Sequence, residues 1–309
     1  MSGRSLNSKT VFLSVLFVLI VQASFSQYYS YPDTINRKRL NTVIIATSAT
    51  YAATLTTLYF AWYRGNPTSN FHFFDDSKYW LGTDKVAHAT TAYTFTNYGY
   101  WMLRWAGVSN NKAAWYGGLM GFAAMTVIEI QDGFSAEYGA SYVDLLANGL
   151  GAGLSVAQNL LWEEQRITMK FSYHPTEYAQ YRPDQLGETY SQRILKDYNG
   201  QTYWLSVNIR SFISKETRFP SWINVAGGYG AKGMLGPASN PEFDDDGNPL
   251  PHFDRVSQYY LSMDIDWTKI KTNSGFLKFT FKLLSFVKLP FPTLEYNSQD
   301  GFVGYWIYF

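Results

Sequence analysis

The chain has 309 residues, with 25 Lys and Arg against 24 Asp and Glu, no cysteine, and 10 Trp, 25 Tyr and 22 Phe. A net charge of +1 excludes the basic excess of a nucleic-acid binder, and 46% apolar content excludes disorder over most of the length. The missing cysteine excludes disulfides, thiol catalysis, thiolate metal sites and a lipid-modified cysteine, while 18% aromatics beside 16% charged residues suits a lipid–water boundary.

Residues 1–26 read as a secretory signal peptide. Arg4 and Lys9 precede an apolar run over 11–21, and Ser24 and Ser26 supply the small residues before a cut after Ser26. The run is shorter than the ~20 residues a membrane span needs. Residues 27–162 read as a helical module. An uncharged stretch over 42–63 is followed by apolar segments at 85–105, 112–132 and 141–162, all rich in small residues. The spacings Gly117-xxx-Gly121 and Gly149-xxx-Gly153 suit close helix approach, and the prediction is a bundle of about four apolar helices in or against a membrane. Trp62, Trp80, Trp101, Trp105, Trp115 and Trp162 fall near predicted helix ends, as an interfacial belt or ordinary core packing would place them.

Residues 163–309 change period. Segments at 166–173, 202–213, 222–231, 256–268 and 301–309 alternate with a period of two between Pro, Gly, Asn and Asp clusters, the pattern of strands. A short helix is predicted over 183–197. Over 276–289, Lys278, Lys282 and Lys288 at near-helical spacing make a basic amphipathic helix, either against a membrane or packed on the sheet with solvated lysines. The loop over 240–252 has Asp244, Asp246 and Asn248 but lacks the sixth-position Gly and twelfth-position Glu of a calcium loop, and reads as an exposed acidic loop. His72, His174 and His252 sit in loop-like polar contexts. Val303, Tyr305, Ile307 and Phe309 alternate to the terminus as in the last strand of an outer-membrane barrel. Five or six strands are fewer than a closed bacterial barrel uses. The fold class is therefore α+β: an N-terminal bundle of about four helices, then a β-rich module forming an open or partial barrel or sheet with an amphipathic helix.

Polar groups stand out within the apolar helices. Asp84, Lys85 and His88 open the second helix, Glu129 and Asp132 close the third, and Asp144 and Asn148 lie four apart in the fourth. Ionisable groups in such a bundle are costly unless paired or functional. Three readings stay open. His88, Glu129 and Asp144 are candidate catalytic residues, with Asp84, Lys85, His88, Asp132 and Asn148 as a binding set for a lipid or glycan headgroup. The same His88, Glu129 and Asp144 are candidate ligands for a divalent metal, although no cofactor is required. Alternatively the set is a structural network that fixes helix register.

At these residues the chain resembles a known family. Gly82-Thr83-Asp84-Lys85-Val86-Ala87-His88, then Glu129, then the run from Ser141 through Asp144 and Asn148 to Ala152 resemble the YfiM-like family of predicted envelope lipoproteins, Bacteroidota type. They are similar, more distantly, to VanZ-like membrane proteins, whose pattern is Asp-Lys-x-x-His, a later Glu and Asp-x-x-x-Asn-x-x-Gly. The resemblance implies an envelope location and a buried His/Asp/Glu/Asn cluster, but supplies no reaction. The chain departs from the lipoprotein pattern in lacking the acylated cysteine.

The expected function is that of an exported cell-envelope protein at the outer membrane or its periplasmic face in a Gram-negative cell. Its preferred role is non-enzymatic, an accessory or structural component of an outer-membrane assembly, with outer-membrane lipid and other outer-membrane proteins as partners and no nucleic acid. The alternative is a membrane-proximal enzyme or binding protein acting on headgroups through the cluster.

Overall fold

The computed structural model describes residues 31–60, 67–213 and 216–309. The predicted signal peptide, residues 1–26, and Trp62 lie outside them. The described chain is α+β, with a helical N-terminal part and an open, six-stranded antiparallel sheet.

Helix α1 (Arg37–Leu58) is capped by the Asn36 side chain, which accepts from the Arg39 amide at 3.1 Å. It joins the other helices chiefly at its start. Asn36 N donates to Ala106 O at 2.9 Å, and the Arg39 guanidinium lies 4.9 Å from the Trp105 ring centre. Further along, Tyr51 donates to Ala124 O at 3.0 Å, while Ile44 and Ile45 stay exposed. The compact core is built by α2 (Thr83–Trp105), α3 (Asn110–Gly133) and α4 (Tyr142–Leu161).

Glycine sets how closely these three helices approach. A Cβ on Gly121 would lie 2.6 Å from Ala92 O of α2, and one on Gly117 would lie 2.7 Å from Tyr100 N, so the first predicted spacing is used. The second is not. A Cβ on Gly153 would meet nothing within 4 Å, and one on Gly149 only the Phe122 ring at 3.9 Å. Gly151 takes that role, where an added Cβ would lie 1.9 Å from Ala89 O, because α4 meets α2 through the face carrying Asp144, Asn148, Gly151 and Ser155. Gly151→Ala should therefore push α2 and α4 apart at a cost of about 1–3 kcal/mol. Gly153→Ala, with open space and better helix propensity, should be neutral or stabilising by up to about 1 kcal/mol. Thermal unfolding of the two variants side by side checks the contrast. Among the described residues α3 alone is long and apolar enough to cross a membrane by length and composition; its glycine face packs on α2, while Trp115, Tyr116 and Leu119 are exposed.

The strands β1 (Ile167–Tyr173), β2 (Gln201–Val207), β3 (Ile223–Lys232), β4 (Val256–Ile265), β5 (Phe291–Asn297) and β6 (Gly301–Tyr308) pair in sequence order. Strand β5 is not among the predicted strands. Helices α5 (Pro183–Leu186) and α6 (Tyr190–Lys196) occupy the predicted short helical segment, and α7 (Gly275–Leu283) lies before β5. One isolated bridge, Phe171 to Val287, links the free edge of β1 to the segment before β5, and no ladder closes the sheet among the described residues.

The sheet is inside out relative to a soluble sandwich. One face carries the row Lys170, Trp204, Gly228, Tyr260 and Glu295 across successive strands, and it is buried. There Lys170 Nζ sits 2.7 Å from Asp264 Oδ2, which also accepts from Ser206 Oγ at 2.6 Å. Glu295 accepts from Gln258 and Asn297 at 2.7 Å and from Tyr305 at 2.9 Å. The opposite face carries Met169, Leu205, Gly227, Leu261, Leu294 and Gly304 in one row and Phe171, Tyr203, Tyr229, Tyr259, Tyr296 and Phe302 in the next. Near β1 and β3 the helical part reaches the sheet, where Tyr93 donates to Ile167 O at 3.1 Å and Tyr229 donates to Leu81 O. Toward β6 the apolar face is uncovered: Leu261 is 56% exposed, Phe302 72% and Trp306 89%.

Two local expectations resolve differently, and the third, the exposed acidic loop, holds. In β6 the register passes from Thr293–Tyr305 to Phe291–Tyr308, so one extra residue bulges and the predicted alternation changes face. Tyr305 points inward to Glu295, Trp306 and Ile307 face out, and Tyr308 returns inward to Tyr260 at 2.6 Å. The lysines of the amphipathic segment are not all solvated. Lys282 lies 5.1 Å from both the Tyr31 and Trp101 ring centres, and Lys288 is buried with Nζ 3.1 Å from Ser262 Oγ, while Phe276 is exposed. In the acidic loop Asp244 spends its oxygens on the Asp246 and Asn248 amides and on Asn248 Nδ2, which accounts for the turn without calcium.

Candidate functional site

A polar cluster forms where the first turns of α2 and α4, the last turns of α3 and the loop over 67–78 converge. The entry to α2 is tight. Trp80 and Leu81 adopt φ of 49° and 52° and Gly82 follows at 79°, so two side-chain-bearing residues hold the left-handed region at a cost of the order of 1 kcal/mol or more each. The turn is fixed from outside, because Trp80 N donates to Pro237 O at 2.8 Å and Leu81 O accepts from Tyr229. It thereby delivers Asp84, Lys85 and His88 in fixed orientation, with Asp84 in the first turn where the helix dipole favours a carboxylate.

Lys85 is the hub. Its Nζ contacts Asp84 Oδ2 at 2.9 Å and Asp144 Oδ2 at 3.0 Å, and pairs closely with Asp76. The Ser141 hydroxyl caps α4 by accepting from Asp144 N at 3.1 Å and donates to Asp76 Oδ1 at 2.5 Å. The Ser141 amide donates to Glu129 Oε2 at 2.9 Å. On the other side of Asp144, His88 Nδ1 lies 3.2 Å from Asn148 Oδ1 and 3.5 Å from Glu129 Oε1. The loop carrying Asp76 is held down on the α3–α4 connection by His72 N to Gly133 O and Phe74 N to Ala140 O.

Burial dominates the electrostatics. It raises the Glu129 carboxyl to about 8 against the opposing Ser141 amide, and raises Asp84 to about 7 against Lys85. It also raises Asp144, and it lowers His88, favouring the neutral imidazole. Asp132, at the end of α3, bears on the cluster through its negative charge beside Glu129.

The structure thus brings together Asp84, Lys85, His88, Glu129, Asp144 and Asn148. Asp76 and Ser141 complete the set and are not among the site residues singled out from sequence. Ser141 lies inside the quoted motif, at the N-cap position before Asp144, where its type is a readable signal. Asp76 sits in a non-periodic loop, and only the tertiary fold carries it to Lys85. The three other histidines stay apart from the cluster: His72 contacts Ser69 and Asn70, His174 lies 5.4 Å from the Tyr308 ring centre, and His252 is exposed beside Asp254.

Fold and cluster together define an α+β protein whose chemistry-bearing residues lie in its helical part. Residues 72–160 match the family model described as "Predicted periplasmic lipoprotein (DUF2279)", so the matched segment contains every residue of the cluster. That description supports an exported, periplasmic-side location, in line with the resemblance to envelope lipoproteins. No curated protein and no solved structure matches the chain.

Proposed function

We propose that the protein is a non-enzymatic component of the outer membrane of a Gram-negative cell, seated in lipid by the apolar face of its sheet, with a periplasmic helical module over 27–162 and a membrane-associated module over 163–309. The inside-out sheet carries this reading. Buried Lys170, Asp264 and Glu295 face inward and Leu261, Leu294, Phe302 and Trp306 face outward, which is the polar-in, apolar-out alternation of barrel strands in lipid. With no cysteine in the sequence to carry an acyl chain, this reading places the attachment on the apolar side chains of the sheet. The exposed Trp115 and Leu119 of α3 and Leu146 and Leu150 of α4 support a protein partner, as in an outer-membrane assembly.

Fractionation tests the reading. The full chain is expected in the outer-membrane fraction, resistant to high salt and released by detergent. Leu261→Lys with Trp306→Lys should move it to the soluble periplasmic fraction without unfolding it, because each lysine facing mid-bilayer costs about 2–4 kcal/mol and both positions are exposed. Recovery of the unaltered chain in the soluble fraction or in the inner membrane contradicts the proposal.

The second reading is a membrane-proximal enzyme or binding protein acting on lipid or glycan headgroups through His88, Glu129, Asp144 and Asn148. It is favoured by the buried, unpartnered oxygens Glu129 Oε1 and Asp144 Oδ1. It stands second because the site is nearly closed, with the Asp144 and Glu129 side chains 7% and 3% exposed.

A further inference from the structure

We infer that His88, Glu129 and Asp144 hold a divalent cation of the Zn2+ or Mn2+ class. Three carboxylates, Asp76, Asp84 and Asp144, converge on one ammonium group, and a fourth, Glu129, belongs to the same cluster through Ser141 and His88. Lys85 acts as the resident cation of the three aspartates, contacting an Oδ2 of each. Glu129 lies beyond that arrangement and has no formal positive charge of its own to face.

Two carboxylate oxygens of the cluster are left over. The Ser141 amide occupies Glu129 Oε2 and Lys85 occupies Asp144 Oδ2, while Glu129 Oε1 and Asp144 Oδ1 are buried without a hydrogen-bond partner. A buried unpartnered acceptor costs about 1–3 kcal/mol, more when charged, so two in one cluster require a reason. Ligand atoms of His88, Glu129 and Asp144 all lie within 4.8 Å of one another. A cation bound at about 2.0–2.2 Å places its ligand atoms about 3–4 Å apart, so a small contraction closes the site.

Both carboxylates are also held by a second contact, as metal ligands are. The Ser141 amide orients Glu129 and Lys85 orients Asp144. Asn148 Nδ2 is a third buried atom without a partner. One imidazole nitrogen with two carboxylates suits a borderline transition cation better than Ca2+ or Mg2+, which prefer oxygen throughout. Asp76, Asp84 and Asp144 form a second acidic group of similar span, but Lys85 already fills it. Three protein ligands leave a coordination position for water or an anionic group such as a phosphate.

The test uses tag-free full chain, stripped with a chelator and dialysed against ZnCl2 or MnCl2, with metal content read by mass spectrometry. One equivalent per chain and a raised Tm are expected. Glu129→Gln should bind more than about 100-fold more weakly while remaining folded, since the amide keeps the shape of the carboxyl, and His252→Ala, at an exposed histidine away from the cluster, should bind as the unaltered protein does. Co2+ added to the unaltered chain gives an independent readout that does not depend on a variant folding: visible d–d bands of a nitrogen–oxygen site, abolished by competing Zn2+. Absence of stoichiometric binding of both metals, or equal binding by Glu129→Gln, overturns the inference.

Discussion

Lys85→Met is expected to be the most damaging single change in the helical module, lowering stability by about 3–5 kcal/mol, a large part of the 5–15 kcal/mol typical of a folded domain. The lysine side chain is 11% exposed and its Nζ is shared by Asp76, Asp84 and Asp144, themselves 16%, 10% and 7% exposed. Methionine replaces the alkyl stem but leaves three carboxylates facing one another without a counter-charge. The asymmetry between breaking and replacing a buried ion network supplies the check. Adding Asp144→Asn to Lys85→Met should recover part of the loss, and so should lowering the pH until the aspartates protonate. Urea unfolding of the single and double variants measures both effects. A loss under about 1 kcal/mol for the single change would mean that Lys85 behaves as an ordinary surface charge.

Glu129 should make the metal-free protein less stable as the pH rises through neutrality. Burial holds its carboxyl at about 8 in the folded chain, against an ordinary value of 4.5. Between those two values the native state keeps a proton that the unfolded chain has released. The stability Glu129 contributes is therefore complete below about pH 4.5 and is lost as the pH climbs to about 8. Each unit of separation corresponds to about 1.4 kcal/mol, and an effect of about 2–5 kcal/mol across the window is expected. Asp84, raised to about 7, adds in the same direction. Glu129→Gln keeps the shape and removes the titration, so it should be the more stable protein at pH 8 and show a shallower decline from pH 5. Denaturant midpoints of both proteins at several pH values decide this, and parallel curves would show that Glu129 does not carry the effect.

Much of the site is legible before any fold is known, because charge in an apolar helix is conspicuous. Asp84, Lys85 and His88 share the start of one such helix, and Asp144 and Asn148 share a face of another, so periodicity alone groups them. Asp76 escapes because its loop has no period, and its partnership with Lys85 is made by the backbone contacts that lay the loop on the α3–α4 connection. Glycine spacing shows the same division. Gly117 and Gly121 lie on the face α3 turns to α2, whereas Gly149 and Gly153 have the same spacing on a face of α4 that no helix backbone approaches, and only the packed structure identifies Gly151. Strand β5 is hidden by chemistry as much as by pattern, since Thr293, Glu295 and Asn297 are its buried residues and Pro292, Leu294 and Tyr296 its exposed ones. The tryptophans near helix ends divide too. Trp101, Trp105 and Trp162 carry cationic side chains over their rings, Trp80 packs on Tyr198, and among the described residues the most exposed tryptophan is Trp306 on the last strand.

The absence of cysteine makes the proposed seating of the sheet's outer face in lipid directly measurable. Leu261→Cys, Leu294→Cys and Asp245→Cys each create one attachment point for a spin label on the otherwise unmodified chain reconstituted in lipid vesicles. Labels at 261 and 294 should be relaxed strongly by oxygen and weakly by a water-soluble nickel complex, with the reverse at 245 in the acidic loop. Equal access of the nickel complex to all three positions would contradict a lipid-facing sheet, because the apolar face would then be in water or against another protein.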